Sequence, residues 1–287
     1  MTTASLTVVE SGPMTTVQDT GRLGLGALGI GRSGACDRAS YRLANRLVGN
    51  DEGHAALECT LGGLVLRADA DVVLVTTGAR CPGVPHNAPL LLRRGEELAL
   101  GTPAAGLRTY VAVRGGIAVA EVLGSRSTDL LAGLGPEALS AGDRLPVGNS
   151  AGAMPGVDVA PVADPPAGEV AVRIEPGPRR DWFTDDGWRS LLNQTYTVTA
   201  QSNRVGLRLD GEPLQRARTD ELPSEGMVRG ALQMPPSGTP VLFLADHPVT
   251  GGYPVVAYVL DDDVDRCAQL RGGQPVRFVN PQGTQRR

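Results

Sequence analysis

Three polar clusters in this 287-residue chain have the residue types and spacing to grip a small anion. The first is Gly31-Arg32-Ser33-Gly34-Ala35-Cys36-Asp37. A glycine-loosened loop entering a helix aims free N–H groups and a partial positive charge at one point, and Arg32 and Ser33 would complete the pocket. The same residues also read as a plain turn in which Asp37 caps the helix, and the spacing leans that way. The second cluster joins Arg114-Gly115-Gly116 to Gly124-Ser125-Arg126-Ser127-Thr128-Asp129. Hydroxyls, an arginine and freed backbone suit a carboxylate or phosphate, with Arg126 offering a two-pronged grip. A polar loop capping a short helix from Asp129 explains it equally well. The third runs from Asp246-His247 to Thr250-Gly251-Gly252-Tyr253. An acid beside an imidazole can transfer protons, but strand neighbours point to opposite faces. No G-x-S-x-G elbow supplies a nucleophile, so binding is favoured over a complete triad.

Composition removes several mechanisms. All 27 basic residues are arginine, and there is no lysine. The chain therefore cannot build a P-loop, form a pyridoxal-phosphate Schiff base or carry covalent biotin. Net charge is -4 with mixed signs, and aromatics are 3%, so a nucleic-acid surface is not expected. Cys36, Cys59, Cys81 and Cys267 form no C-x-x-C, and with His54, His86 and His247 they give no zinc spacing. Free thiols in a reducing cytoplasm are expected. Apolar runs are strand-sized, well short of the ~20 residues of a membrane helix, and the first ten residues do not resemble a signal peptide.

These clusters must be positioned by mainly β structure with a few short helices. The 38 Gly and 22 Pro punctuate many short apolar runs, as in barrels and sandwiches. Strands are expected at 6–9, 15–18, 56–61, 63–67, 71–76, 90–92, 98–100 and 108–113, with a turn at 142–145. More follow at 170–174, 196–199, 205–209, 227–233, 241–245, 255–259 and 277–279. Asp37 caps a helix with Ala39, Leu43, Ala44, Leu47 and Val48 inward and Arg38, Arg42 and Arg46 outward, stopping at Gly49-Asn50. Thr184 caps a second helix, and a third starts at Asp261-Asp262-Asp263, where acids favour a helix N-terminus without any metal. Gly24-Leu25-Gly26-Ala27-Leu28-Gly29 fits the dinucleotide fingerprint, but no buried strand enters it and the helix starts too late. Residues 150–168, rich in Ala, Pro, Gly and Val, divide a 1–149 half from a 169–287 half.

Several ordered motifs resemble one family, that of allophanate hydrolase subunit 2, the C-type subunit of 5-oxoprolinase and biotin-dependent carboxyltransferases. They are Gly12-Pro13-Met14-Thr15-Thr16-Val17-Gln18-Asp19-Thr20-Gly21-Arg22, Ser33-Gly34-Ala35-Cys36-Asp37, Ala44-Asn45-Arg46-Leu47-Val48-Gly49-Asn50, Ala56-Leu57-Glu58, Val113-Arg114-Gly115-Gly116-Ile117 and Leu123-Gly124-Ser125-Arg126-Ser127-Thr128. In the second half stand Gln201-Ser202-Asn203-Arg204-Val205-Gly206, Ser224-Glu225-Gly226, Gly230-Ala231-Leu232-Gln233-Met234-Pro235 and Thr250-Gly251-Gly252-Tyr253-Pro254. The resemblance implies two cyclophilin-like β-barrel subdomains. It also implies a B-type, inhibitor-like partner subunit and an A-type hydrolase subunit, which together open 5-oxoproline to glutamate with ATP. Fused relatives in urea amidolyase take carboxylate from biotin carried on another domain. The chain departs from the family pattern at Leu131–Leu139, which lacks a Gly-Arg-x-Leu arginine, and at His247-Pro248, where many relatives carry Arg or Gln.

The resulting expectation is a subunit of an ATP-dependent 5-oxoprolinase, inactive alone, with a small anionic or amide substrate. Asp246 and Arg126 are its expected catalytic pair. Arg32, Ser33, Asp37, Arg114, Gly115, Gly116, Ser125, Ser127, Thr128, Gln233, Thr250, Gly251, Gly252 and Tyr253 are its binding residues. A urea or amide carboxyltransferase component, and a non-enzymatic regulator of a kinase-inhibitor-like partner, are the alternatives.

Overall fold

The computed structural model of the chain describes residues 4–149 and 152–281. Strands dominate, and the described residues include three α-helices. The chain groups into two compact units, Met1–Gly24 with Arg32–Pro165 and Leu25–Gly31 with Pro166–Arg287.

The first unit carries β1 (Ser5–Ser11), β2 (Met14–Gln18), α1 (Arg38–Leu47), β3 (Ala56–Thr60), β4 (Leu64–Ala68), β5 (Val72–Gly78), β6 (Leu90–Leu92), β7 (Glu97–Ala99), β8 (Arg108–Val113) and β9 (Arg144–Pro146). They make a five-stranded sheet, β2-β3-β8-β5-β6, and a four-stranded one, β7-β4-β1-β9, each antiparallel throughout. β8 is buried along its whole length because both its faces are covered. Its Val111 and Val113 join Leu6, Val8, Leu57, Leu66 and Leu74 in one core. Alternate residues Tyr110 and Ala112 pack with Tyr41, Ala44 and Leu47 of α1 in another, as the period of two requires.

Asp37 caps α1, its carboxylate accepting from Ser40 N at 2.9 Å, and Gly49 ends the helix region at φ +70°. The inward stripe is corrected. Ala39 is exposed and Leu43 only partly buried, whereas Tyr41 and Asn45 are buried because both donate to the His54 carbonyl, at 2.7 and 2.8 Å. Residues 152–165, expected as part of a linker, group with this unit. Ala160 N donates to Asn87 O at 2.8 Å and Arg80 pairs with Asp164 at 3.0 Å. Ser150 and Ala151, the start of that expected linker, lie outside the described residues.

The second unit carries β10 (Val170–Pro176), α2 (Asp185–Asn193), β11 (Thr195–Val198), β12 (Gly206–Asp210), β13 (Glu225–Gly226), β14 (Ala231–Gln233), β15 (Val241–Phe243), β16 (Thr250–Gly251), β17 (Val255–Val259), α3 (Asp261–Cys267) and β18 (Pro275–Val279). Seven strands close a barrel in the order β10-β17-β14-β15-β12-β11-β18, and the β10–β18 pair is parallel. Inward residues such as Val172, Ile174, Leu207, Leu232, Leu242, Val256 and Phe278 fill it. The single strand expected over 227–233 is corrected: Met227 N bonds Val249 O, and Gly230 turns the chain at φ +87°, leaving only Ala231–Gln233 in β14. The acids of α3 pin it to the barrel. Asp263 takes three N–H groups of Arg173, while Asp261 and Asp265 bracket the Arg229 guanidinium. Gly26–Leu28, inside the glycine-rich fingerprint, is one turn of 3₁₀ helix. All four cysteines are free and buried, and burial pushes the Cys267 thiol up to about 12.

His86 carries a pH signature of the first unit. Burial, reinforced by the Arg80 charge and opposed by Asp164, holds its imidazole pKa below the ordinary value, and its Nδ1 is buried without a partner. The unfolded chain, near ~6.5, then binds the proton more readily than the folded one, so stability is intact above ~6.5 and falls as pH drops through the window beneath it. The urea midpoint of the wild type should therefore fall further between neutral and mildly acidic pH than that of His86→Gln. Equal losses in the two proteins would remove His86 from the account.

Candidate functional site

A charged group in a buried strand end must find partners, and Asp19, directly after β2 and 6% exposed, finds many. Its Oδ1 accepts from Gly21 N at 2.8 Å, Ser125 Oγ at 2.7 Å and Ser127 Oγ at 2.6 Å, and its Oδ2 accepts from Arg126 N at 2.6 Å. Arg22, itself 2% exposed, donates to Val122 O at 3.1 Å and Ser127 O at 2.8 Å. The loop expected to clasp a ligand anion is thus folded around an anion of its own chain. Ser125 and Ser127, expected as ligand contacts, direct their hydroxyls to Asp19. Thr128 is also internal: its carbonyl accepts from Gln18 Nε2 and Ser33 Oγ, at 2.9 and 3.1 Å. No short helix starts at Asp129, whose carboxylate instead closes a turn onto Leu131 N and Ala132 N.

The loop before α1 is braced from beneath. Glu58, 1% exposed in β3, accepts from Cys36 N at 2.9 Å, Tyr110 OH at 2.7 Å and Arg108 Nε at 3.2 Å. The Tyr110 hydroxyl in turn accepts from Asp37 N at 2.8 Å. Burial raises the Tyr110 phenol far above its ordinary pKa, so it stays a donor to Glu58. Arg32 Nε bonds Thr20 O at 3.0 Å. Arg32, Ser33 and Asp37 therefore hold the loop in shape, and the helix cap reading fits these contacts.

A hollow of about 350 Å³ in this unit is lined by Gly53, His54, Ala55, Gly115, Gly116, Ile117, Ala118, Arg126, Gly148 and Asn149. The Asp19-held loop delivers Arg126 to it. Arg126 Nε donates to Val119 O at 2.8 Å and Nη1 pairs with Glu121 at 2.7 Å, which sets the plane of the guanidinium. Among the described residues its Nη2 has no acceptor. Gly115 and Gly116, at φ +95° and +73°, shape the wall: a Cβ on Gly115 would stand 2.1 Å from Gly148 O, and one on Gly116 2.9 Å from His54 Cδ2. Arg114 points elsewhere, bracing Val48 O and Gly152 O. The lining offers a cation, an imidazole and an amide but no carboxylate, thiol or hydroxyl. Such a set can bind and orient an anion, and it offers no carboxylate, thiol or hydroxyl nucleophile.

In the second unit Asp246 is the counter-ion of Arg204, with Nε–Oδ2 and Nη2–Oδ1 both at 2.9 Å and the two side chains 0% and 2% exposed. The carboxylate expected to accept a proton is thus paired with a buried guanidinium. His247 Nδ1 lies 2.8 Å from Pro248 O. The remaining predicted residues do meet. Gln233 Nε2 donates to Tyr253 O at 3.2 Å, and a Cβ on Gly251 would stand 2.8 Å from that nitrogen. Thr250 and Gly251 pair with Glu225 and Gly226, and Glu225 is held by Arg179. Tyr253 is half exposed beside Gly252.

Sequence reasoning passed over Asp19, Arg22, Glu58, His54 and Arg204. Glu58 carried a signal, being a carboxylate inside an apolar strand. Asp19, Arg22 and Arg204 stood inside recognised motifs without a role, and His54 had none.

The family model for the carboxyltransferase domain, subdomains A and B, matches residues 28–280. The chain belongs to this carboxyltransferase-domain family. It is 39% identical over 283 residues to the C-type subunit of the Escherichia coli (strain K12) 5-oxoprolinase, covering 96% of this chain and 90% of that protein. The crystal structure of TTHA0988 superposes with a TM-score of 0.87 at 36% identity over 97% of this chain and 56% of that one. That of the Kluyveromyces lactis urea carboxylase gives 0.88 at 30% identity, over 98% of this chain and 28% of the other. The chain thus spans about half of the first solved protein and about a quarter of the second. Among the described residues no helix is long and apolar enough to cross a membrane.

Two consequences separate shape from chemistry in this carboxyltransferase-domain chain. Asp19→Ala leaves its donors unpaired and should cost on the order of 3 kcal/mol in urea denaturation. Asp246→Ala should cost about 3–5 kcal/mol, the effect of stripping one partner from a buried pair. A stability within 0.5 kcal/mol of wild type, roughly the scatter of a neutral surface change, would return Asp246 to the candidates for chemistry.

Proposed function

We propose that this chain is the C-type subunit of an ATP-dependent 5-oxoprolinase, acting with A-type and B-type partners to open 5-oxoproline to glutamate. The observation that carries this reading is the near end-to-end likeness to the C-type subunit from Escherichia coli. The hollow supports it chemically. Its volume lies at the small end of ligand pockets, which suits a compact amide carboxylate better than a nucleotide. Arg126 meets the carboxylate with the N–H groups that Val119 and Glu121 leave unused. With no carboxylate, thiol or hydroxyl in the lining, this reading takes ring-opening groups from the partners, and any ATP held by a chain without lysine is held without a P-loop. A second reading, the acceptor half of a urea or amide carboxylase, draws support from the likeness to urea carboxylase. There biotin would arrive on a separate chain.

Purified together with its partner subunits, the chain should support ATP hydrolysis that depends on 5-oxoproline and not on urea. Arg126→Ala should lower that rate by about 100-fold or more, the cost of losing one well-placed charge-stabilising donor, while the folded structure survives because Asp19 holds the backbone N–H of residue 126. Urea-dependent turnover with a biotinylated partner would transfer the assignment to the second reading.

A further inference from the structure

His54 lines the same hollow as Arg126 and has been fixed there from three directions. Its main-chain carbonyl accepts from Tyr41 OH and Asn45 Nδ2, at 2.7 and 2.8 Å. Its main-chain N–H and its ring Nδ1 both lie against Asp51 O, at 3.1 and 3.2 Å. Its ring rests on Gly116, where any side chain would strike Cδ2 and Cγ. A carbonyl oxygen only accepts, so Nδ1 must carry the hydrogen and the neutral ring keeps its lone pair on Nε2. The imidazole is thus a hydrogen-bond acceptor of set tautomer and set plane, in a cavity whose charged side chain is a guanidinium with an unused edge.

We propose that His54 is the specificity-determining partner of Arg126: Nε2 accepts a hydrogen bond from the N–H of a small carboxylate whose carboxylate group is held by Arg126. The pairing selects molecules in which an amide N–H stands next to the carbon bearing the carboxylate, as in 5-oxoproline. It rests on the reading of the chain as part of an oxoprolinase only for the identity of the ligand. An acceptor and a cation together reject carboxylates that lack the N–H, because Nε2 would lose its bond with water and gain nothing in return.

The test uses the full chain with three probes: 5-oxoproline, N-methyl-5-oxoproline and cyclopentanecarboxylate, followed by side-chain nitrogen NMR of the imidazoles and by calorimetry. 5-Oxoproline should shift the His54 Nε2 resonance and bind roughly tenfold more tightly than the two probes without the N–H, the worth of one hydrogen bond. His54→Leu should bind all three alike, His54→Gln should restore part of the preference through its carbonyl oxygen, and Arg126→Ala should lose all three. A preference that survives in His54→Leu, or a His54 resonance unmoved by 5-oxoproline, overturns the assignment. Turnover in the assembled complex tests the functional reading separately. If the wild-type complex opens 5-oxoproline and His54→Leu matches its kcat/KM, only the His54 assignment fails. If the hollow discriminates as expected while the complex leaves 5-oxoproline intact, the oxoprolinase reading fails and the site stands.

Discussion

The buried carboxylate of Asp19 is the constraint on which the candidate site depends. It collects a backbone N–H from its own turn and two hydroxyls and a second N–H from a loop more than a hundred residues away. A carboxylate taken out of water is tolerated only when its oxygens are satisfied, so the loop has one acceptable shape. In that shape Arg126 is held by its main chain and its guanidinium remains available to the hollow. The division of labour is physical: the main-chain N–H answers the internal anion, and the side chain is left for an external one.

Arginine suits a chain built this way. A guanidinium has five donors in a rigid plane and can brace several carbonyls at once, whereas an ammonium is a point charge. Arg22 and Arg114 each join separate segments through carbonyl oxygens. Arg204 and Arg173 each grip a carboxylate with two prongs. Most of the arginines that looked like ligand contacts or loose charge are therefore struts. Arg126 differs because it lines the hollow, with its Nε and Nη1 engaged internally.

Glycine has a comparable double use. At Gly115 and Gly116 the backbone adopts a left-handed conformation and lies too close to Gly148 and His54 for any side chain. At Gly251 the constraint is the amide of Gln233. In both units the glycines described as freeing backbone for a ligand first permit close packing within the protein. In the first unit, that packing seats an imidazole against the hollow wall.

The strand-rich architecture, the cap at Asp37, the helices beginning after Thr184 and at Asp261, and the family itself were legible in the sequence. Hydrophobic period, turn residues and cap chemistry act over a few neighbours, and ordered motifs survive as text. The chemistry the chain cannot perform was equally legible, since no fold can create a lysine. Partnership was not. Ser125 and Ser127 have the composition of an anion clasp whether the anion is a ligand or Asp19, and Asp246 resembles a proton acceptor until Arg204 is seen against it. His54 looked like an isolated histidine because its neighbours, Gly116 and Arg126, lie more than sixty residues away in sequence. Which polar group faces which is decided by pairing across strands and loops far apart in the chain, so only the tertiary structure could separate the side chains that hold the site together from those left to meet a ligand.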